Sequence, residues 1–488
     1  MSSEPILCPL ARHAADQSDS IALVVRQPQG PPVLHTYRQL HSQVEQYRNW
    51  LEQQGIRPGQ HLLVRLEDPT AIIRLLIAAL RLGCVLIPIN PAFPYAQQLE
   101  LLDRCDADGW ITAPTQEIKT LSRALIPQDC RWLALPELDD DICRIQIPSL
   151  AIQDPNAPLS GVLTSGSTGQ PKLALHSFNN HRASAQGSCS LIPLQPEDGW
   201  AMTLPLYHIS GQAIVFRTLL AGASLIIPAP NEPLSQLILE QRLTHLSAVT
   251  TQLLRLQQHL FDFQHSRLRH LLLGGSAIPA SLLGWLGQQT PQCWISYGLT
   301  EMSSQVMTGP LSLSGQLAQR LQHCQLQIAD DHEILVKGDA LFLGYYHNGC
   351  CHCPVDADGW FHTRDLGRLD AQQRLSITGR RDNQFISGGE NIQPELIERT
   401  LSSYPGVDVC YVVPVDDACY GQRPVAFISP HAGIDTATLR LWLRQRLPSY
   451  VIPIDYLSLP ESPTTLKPSR PELMRIAAQR LSLKPATR

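Results

Sequence analysis

Residues 163–172, LTSGSTGQPK, put two glycines, a proline, four hydroxyl side chains and one lysine into ten positions. Glycine lets backbone N–H groups converge on an anion, and the hydroxyls of Thr164, Ser165, Ser167 and Thr168 add donors around Gly166 and Gly169. Lys172 supplies a point charge of the kind that holds a phosphate. The spacing departs from GxxxxGK[ST], which excludes the P-loop class. Taken alone, the segment reads first as a flexible surface serine–glycine loop and second as a phosphate site. A second cluster, Cys350, Cys351, His352 and Cys353, has metal-ligating chemistry. A structural zinc site usually pairs two such knuckles, and no second one follows nearby, so a surface loop is the expectation.

The elements around the loop alternate between strand and helix. IALVV at 21–25, HLLVRL at 61–66 and CVLIPI at 84–89 are strand-like. Thr36 followed by Gln39 has the pattern of a capping box, predicting a helix to about Gly55. Asp68 and Pro69 open a second helix that closes on Gly83. Further helices are expected over 178–188 and 211–222, and strands over 200–204, 223–228 and 246–250; 268–279 is an apolar run broken by paired glycines, and 293–301 a strand running into a turn. This alternation predicts an α/β fold. From roughly 310 to 378 short strands and turns predict an antiparallel β subdomain. Beyond a break near Asp382, helices over 394–402, 436–447 and 470–481 and strands over 408–414 and 423–429 predict a compact α+β unit. The expected organisation is a large N-terminal domain of mixed sheets and helices with a β subdomain, 1–381, and a small mobile α+β domain, 382–488.

The chain has 488 residues, 43% hydrophobic and 17% charged, with a formal net charge of −5. That balance gives a globular class without the basic footprint of a nucleic-acid binder. No signal peptide is legible at the N-terminus, and no stretch reaches the roughly 18 apolar residues of a membrane span. The expected compartment is the cytoplasm, with the thirteen cysteines as free thiols. The assembly state, monomer or homo-oligomer, stays open.

The 163–172 loop resembles the phosphate-binding signature of the adenylate-forming superfamily of acyl- and aryl-CoA synthetases, luciferases and peptide-synthetase adenylation domains. Four later segments resemble that family's motifs in order: YGLTE at 297–301, GWFHTRD at 359–365, GRRDNQFISGGENIQPELIE at 379–398 and LKPSR at 466–470. The resemblance implies ATP, Mg²⁺ and coenzyme A as the reaction's partners. It implies that residues 164–169 and Lys172 hold phosphates, and that Thr300 and Glu301 meet phosphate and Mg²⁺. It places Gly274, Gly275 and Ser276 against adenine with Tyr297 stacked opposite, and Asp365 on the ribose hydroxyls. Arg380 bridges ribose and the domain boundary, Asp382 is the hinge, and the Gly388–Gly389 loop approaches the thiol acceptor. Lys467 stabilises the charge of adenylation, although the family's usual GK pair is here TLKPSR. Each residue also has an ordinary reading: Glu301 as a helix-start acid, Asp365 as a turn acid, GGS as a strand-ending turn, Lys467 as a loop lysine.

Residues 181–227, FISGGENIQPELIE and the terminal TLKPSR resemble the o-succinylbenzoate–CoA ligases of menaquinone synthesis. Their substrate carries a second, unactivated carboxylate, which must be paired if it is buried. Arg217, on the helix after PLYHISG, is either a clamp for it or an arginine snorkelling to the surface. Ser210, Gln212, Ser303 and Ser304 are candidate neutral donors, and His208 a candidate gate or pocket wall. The rival readings are another aryl- or acyl-CoA ligase, a peptide-synthetase-like adenylation protein, and a non-enzymatic AMP-binding sensor.

Overall fold

The computed structural model describes residues 6–114, 126–139, 151–164, 171–275, 278–312, 316–317, 319–387, 390–417, 420–428, 434–460 and 469–482. Among these the strands form four sheets, of nine, four, eight and five strands. Local chemistry sets the helix ends. Thr36 accepts from the Gln39 amide and the Gln39 side chain returns to the Thr36 amide, opening the helix Tyr37–Gln53. Asp68 accepts from the amides of Thr70 and Ala71 ahead of Pro69, and Gly83, at φ +78°, ends the helix Pro69–Leu82.

These two helices, with Phe178–Leu191 and Ile209–Ala221, share one core with both large sheets. Ile73, Ile77, Phe178, Ile214 and Phe216 pack with Leu62, Val64 and Leu86 of the eight-stranded sheet and with Leu23, Leu225 and Ile227 of the nine-stranded one. In the nine-stranded sheet, Ile21–Val25, Ser224–Ile227, Gly199–Ala201, His245–Ala248, His270–Leu273 and Gln292–Leu299 run parallel as successive neighbours. The segment PLYHISG, the Gly274–Gly275 pair and the Thr300–Glu301 turn all lie beyond the carboxyl ends of these strands, where open α/β sheets form ligand crevices. In the eight-stranded sheet Pro158–Thr164 and Lys172–Ser177 form an antiparallel pair whose last register partners are Thr164 and Lys172.

The expected β subdomain over 310–378 divides. Cys324–Ile328, Glu333–Gly338, Phe361–Leu369 and Leu375–Arg380 do form an antiparallel four-stranded sheet. Gly344–His347 instead pairs with Lys172–Ser177 and extends the eight-stranded sheet, with Cys350–His352 as its edge strand. Cys350, Cys351 and His352, expected in a loop, are therefore in an exposed strand, where successive side chains point to opposite faces. Strand partnership across 170 residues leaves no local trace in the sequence. The last sheet, from Phe385 to Ser458, has separate cores on its two faces. One gathers Ile392, Ile397, Val412, Ala426, Leu439 and Leu443; the other gathers Val413, Val425, Phe427, Leu473 and Ala477.

Candidate active site

Ser165, Gly166, Ser167, Thr168, Gly169, Ser276, Gly388, Gly389 and Lys467 lie outside the described residues. At the root of the glycine loop, the Thr164 hydroxyl donates to the Lys172 carbonyl over 3.4 Å. The Lys172 ammonium sits 5.0 Å from the centroid of the Tyr345 ring, and the Tyr345 hydroxyl donates to a Glu301 carboxylate oxygen at 2.5 Å. Tyr345 arrives by strand pairing: it faces Ala174, two residues beyond Lys172 on the same face. Burial and the neighbouring Glu301 charge push the Tyr345 phenol up, so it remains a donor. The turn carrying Glu301 is held from two sides. Phe342 N–H donates to the Glu301 carbonyl at 2.8 Å, and His176 Nε2–H donates to the Thr300 carbonyl at 2.8 Å. Burial drops His176 to about 4, so its imidazole is neutral at pH 7. One carboxylate oxygen ligand beside one ammonium suits a phosphate-bound Mg²⁺, which takes few protein ligands and needs no cage.

A second group forms where the parallel sheet meets the four-stranded one. Asp365 accepts from the Tyr297 hydroxyl at 2.7 Å and lies 3.3 Å from Arg380 Nε, its direct partner in register. Burial raises the Asp365 pKa, against the opposing pull of Arg380 and of the Tyr297 hydrogen bond. Arg364 precedes it in left-handed backbone, φ +62°. The same Arg364 reaches Asp382 at 3.0 Å, while Arg380 lies 3.8 Å from that carboxylate. Gly274 follows the strand His270–Leu273 and Gly275 turns the chain at φ +87°. Gly298 admits no side chain, because a Cβ there would stand 1.9 Å from the Ser304 carbonyl oxygen.

The third group is internal. Arg217 is only 2% exposed. Its Nη2 donates to Gln305 Oε1 at 2.8 Å and to Ser304 Oγ at 3.2 Å, and its guanidinium lies over Trp200, 5.2 Å from the ring centroid. Its Nε is buried without a partner, and no carboxylate among the described residues pairs with it. Burial pulls its pKa down to about 10, which still leaves it charged at neutral pH. Ser304 shares this cluster. Ser303 faces elsewhere, its hydroxyl donating to the Ala340 carbonyl at 2.9 Å. The Gln212 amide is engaged at both ends, donating to the Leu206 carbonyl and accepting from Ser160, which in turn accepts from His181. His208 is exposed at the cap of the helix Ile209–Ala221, edge-on to Tyr207, and Ser210 is half-buried in the first turn.

Tyr345, Gln305 and Trp200 were not singled out by sequence reasoning. Their places follow from cross-strand neighbours.

The sequence profile of the AMP-binding enzyme family matches residues 10–346, and that of the AMP-binding enzyme C-terminal domain matches residues 396–467. The chain is 34% identical over 435 residues to the 2-succinylbenzoate–CoA ligase of Salmonella typhimurium, covering 87% of this chain and 88% of that relative. It is also 34% identical to the Escherichia coli 2-succinylbenzoate–CoA ligase over 426 residues, with the same two coverages. Among solved structures, a variant of E. coli MenE with bound OSB-AMS superposes with a TM-score of 0.82 at 30% identity, covering 98% of this chain and 99% of that one. The Bacillus subtilis o-succinylbenzoate CoA synthetase in complex with ATP and magnesium ion gives 0.81 at 25% identity, with 96% and 99% covered. The chain belongs to the AMP-binding enzyme family, in the branch of the 2-succinylbenzoate–CoA ligases.

Proposed function

We propose that this protein joins 2-succinylbenzoate to coenzyme A through an acyl-adenylate, a step of menaquinone synthesis in the cytoplasm. The succinyl carboxylate, ionised at neutral pH, attacks the α-phosphorus of ATP, and pyrophosphate leaves with the bond electrons. The mixed anhydride is then electrophilic enough for the CoA thiol. The thioester forms, AMP leaves, and the thiol proton goes to solvent. No covalent enzyme intermediate is needed, so none of the cysteines has a required role. Mg²⁺, when bound with ATP, neutralises phosphate charge.

The roles proposed follow the three groups. Residues 164–169 with Lys172 and Thr300 hold the phosphates, and Glu301 is the protein ligand for the metal. Asp365, accepting hydrogen bonds, orients the ribose; Gly274, Gly275 and Ser276 with Tyr297 enclose the base. Lys467 stabilises the charge that builds on the phosphate oxygens during adenylation. The small domain, from Asp382 onward, then turns to bring the Gly388–Gly389 loop to the acceptor side. His208 and Ser210 line the acid's entrance.

The observation that carries the choice of acid is Arg217: a buried cation whose described partners are all neutral. A buried charge without a counter-charge is costly, and a substrate bearing a second carboxylate removes that cost. Relatives named 2-succinylbenzoate–CoA ligase support the same acid. The test is pyrophosphate release with ATP and Mg²⁺ on a panel of 2-succinylbenzoate, 4-phenyl-4-oxobutanoate, benzoate and a medium-chain fatty acid, with and without CoA. The dicarboxylate is expected to lead, with a CoA-dependent thioester product. Preference for any monocarboxylate would keep the chemistry and overturn the acid.

A further inference from the structure

The environment of Arg217 contains a second message, which rests on the proposed acid. A buried arginine ordinarily takes a carboxylate partner. Here the position that meets its Nη2 most closely is Gln305, isosteric with glutamate but uncharged. The amide is not free to choose its orientation. The guanidinium offers only donors, so Oε1 must be the end that faces it, and Nε2 then donates to Thr308 Oγ1 at 2.7 Å. Both residues are buried on the strand Ser304–Pro310, Gln305 at 2% and Thr308 at 0% exposure. The guanidinium lies over Trp200, itself fixed by donating Nε1–H to Ser247 and by stacking on His245. A π face and an amide oxygen satisfy geometry without cancelling charge.

We infer that Gln305 is a specificity-determining residue: anchored on Thr308, it positions Arg217 through a neutral oxygen and so reserves the full positive charge for the second carboxylate of the substrate. Glutamate at 305 would fill the same volume and supply the counter-charge from within. The ligand would then enter a site that is already neutral, and a second carboxylate would lose its advantage.

The experiment compares wild type, Gln305→Glu, Gln305→Leu and Thr308→Val. It reads the ratio of kcat/KM for 2-succinylbenzoate to kcat/KM for 4-phenyl-4-oxobutanoate, which lacks the ring carboxylate, together with the KM for ATP and the melting temperature. Gln305→Glu is expected to lower the ratio at least tenfold through the KM for the dicarboxylate, with the ATP KM unchanged and the melting temperature equal or higher. Gln305→Leu removes the oxygen without adding charge and should lower the ratio less. Thr308→Val removes the hydroxyl that holds the far end of the amide, loosens the Gln305–Arg217 contact, and should lower the ratio a few-fold even if the glutamate variant fails to fold. A wild-type preference that survives both Gln305→Glu and Thr308→Val overturns the role of Gln305 while leaving the proposed acid intact. A wild type that shows no preference for the second carboxylate overturns the acid and the inference together.

Discussion

Asp365 is held by opposing forces that give it a measurable signature. Burial favours its neutral form, while Arg380 at 3.3 Å and the Tyr297 hydroxyl at 2.7 Å favour the carboxylate. The balance leaves its pKa above the ordinary aspartate value. If Asp365 accepts the ribose hydroxyls as proposed, ATP affinity falls as pH drops through this raised pKa, because protonation removes acceptor capacity. The same shift means that ionised Asp365 costs stability at neutral pH, a cost relieved as pH falls through the folded pKa. Tyr297→Phe keeps the ring but deletes a donor to the charged form. The acid limb of ATP binding should then move to higher pH, by roughly half a unit to one unit. Calorimetric titration of ATP across the acid range reads it directly; a limb that stays put or moves down would mean that the Tyr297 hydrogen bond does not tune Asp365.

At the scale of elements, the tight connection between Gln292–Leu299 and Ser304–Pro310 carries the strain of the site. Ser303 has φ +53° and Ser304 has φ +129°, the latter in territory that belongs almost wholly to glycine. Ser304 stays in that backbone with its Oγ 3.2 Å from Arg217. Ser304→Gly should therefore raise stability by about 1–2 kcal/mol by relieving the backbone. It should also weaken the preference for a second carboxylate a few-fold, since one hydrogen-bonding partner of the guanidinium is gone. Thermal melting and the ratio of the two acids test both halves; loss of stability would show that the serine is there for packing. Such features explain what the sequence reveals and what it hides. Thr36 with Gln39, and Asp68 with Gly83, are read locally because caps are made by residues within a turn of each other. The Thr300–Glu301 turn is legible because its residue types are chemically unusual together. Tyr345, Gln305 and Trp200 are ordinary strand residues whose meaning comes from register: Tyr345 beside Ala174, Gln305 opposite Gly298, Trp200 opposite His245. The assignment of 344–352 to the wrong sheet has the same cause, since strands in different sheets share one local pattern.

At the scale of the whole molecule, the proposed turn of the small domain between the two half-reactions would be biased by the charges around Asp382. In the structure Arg364, from the four-stranded sheet, holds Asp382 at 3.0 Å, and Arg381 reaches Glu333 at 3.2 Å and also Asp331. Arg364 is itself anchored, its amide donating to Glu333 at 2.7 Å, so Glu333 ties the backbone before Asp365 to the proposed hinge. Arg364 and Arg381 are partly solvent-exposed, so each pair contributes little, about 0–1 kcal/mol, and salt screens it. Small energies would suit the proposed rotation, which, if it runs in both directions every turnover, cannot be locked. Arg364→Ala removes one tie from the orientation seen and leaves the other orientation untouched. Adenylation, read as pyrophosphate release without CoA, and thioester formation, read from supplied acyl-adenylate and CoA, should then shift in opposite directions, each by roughly two- to five-fold. Raising the ionic strength should move the wild type the same way and the variant less. Equal changes in both half-reactions would place Arg364 in the shared nucleotide site instead of the hinge, and no change in either would leave Asp382 without an electrostatic tie to the large domain.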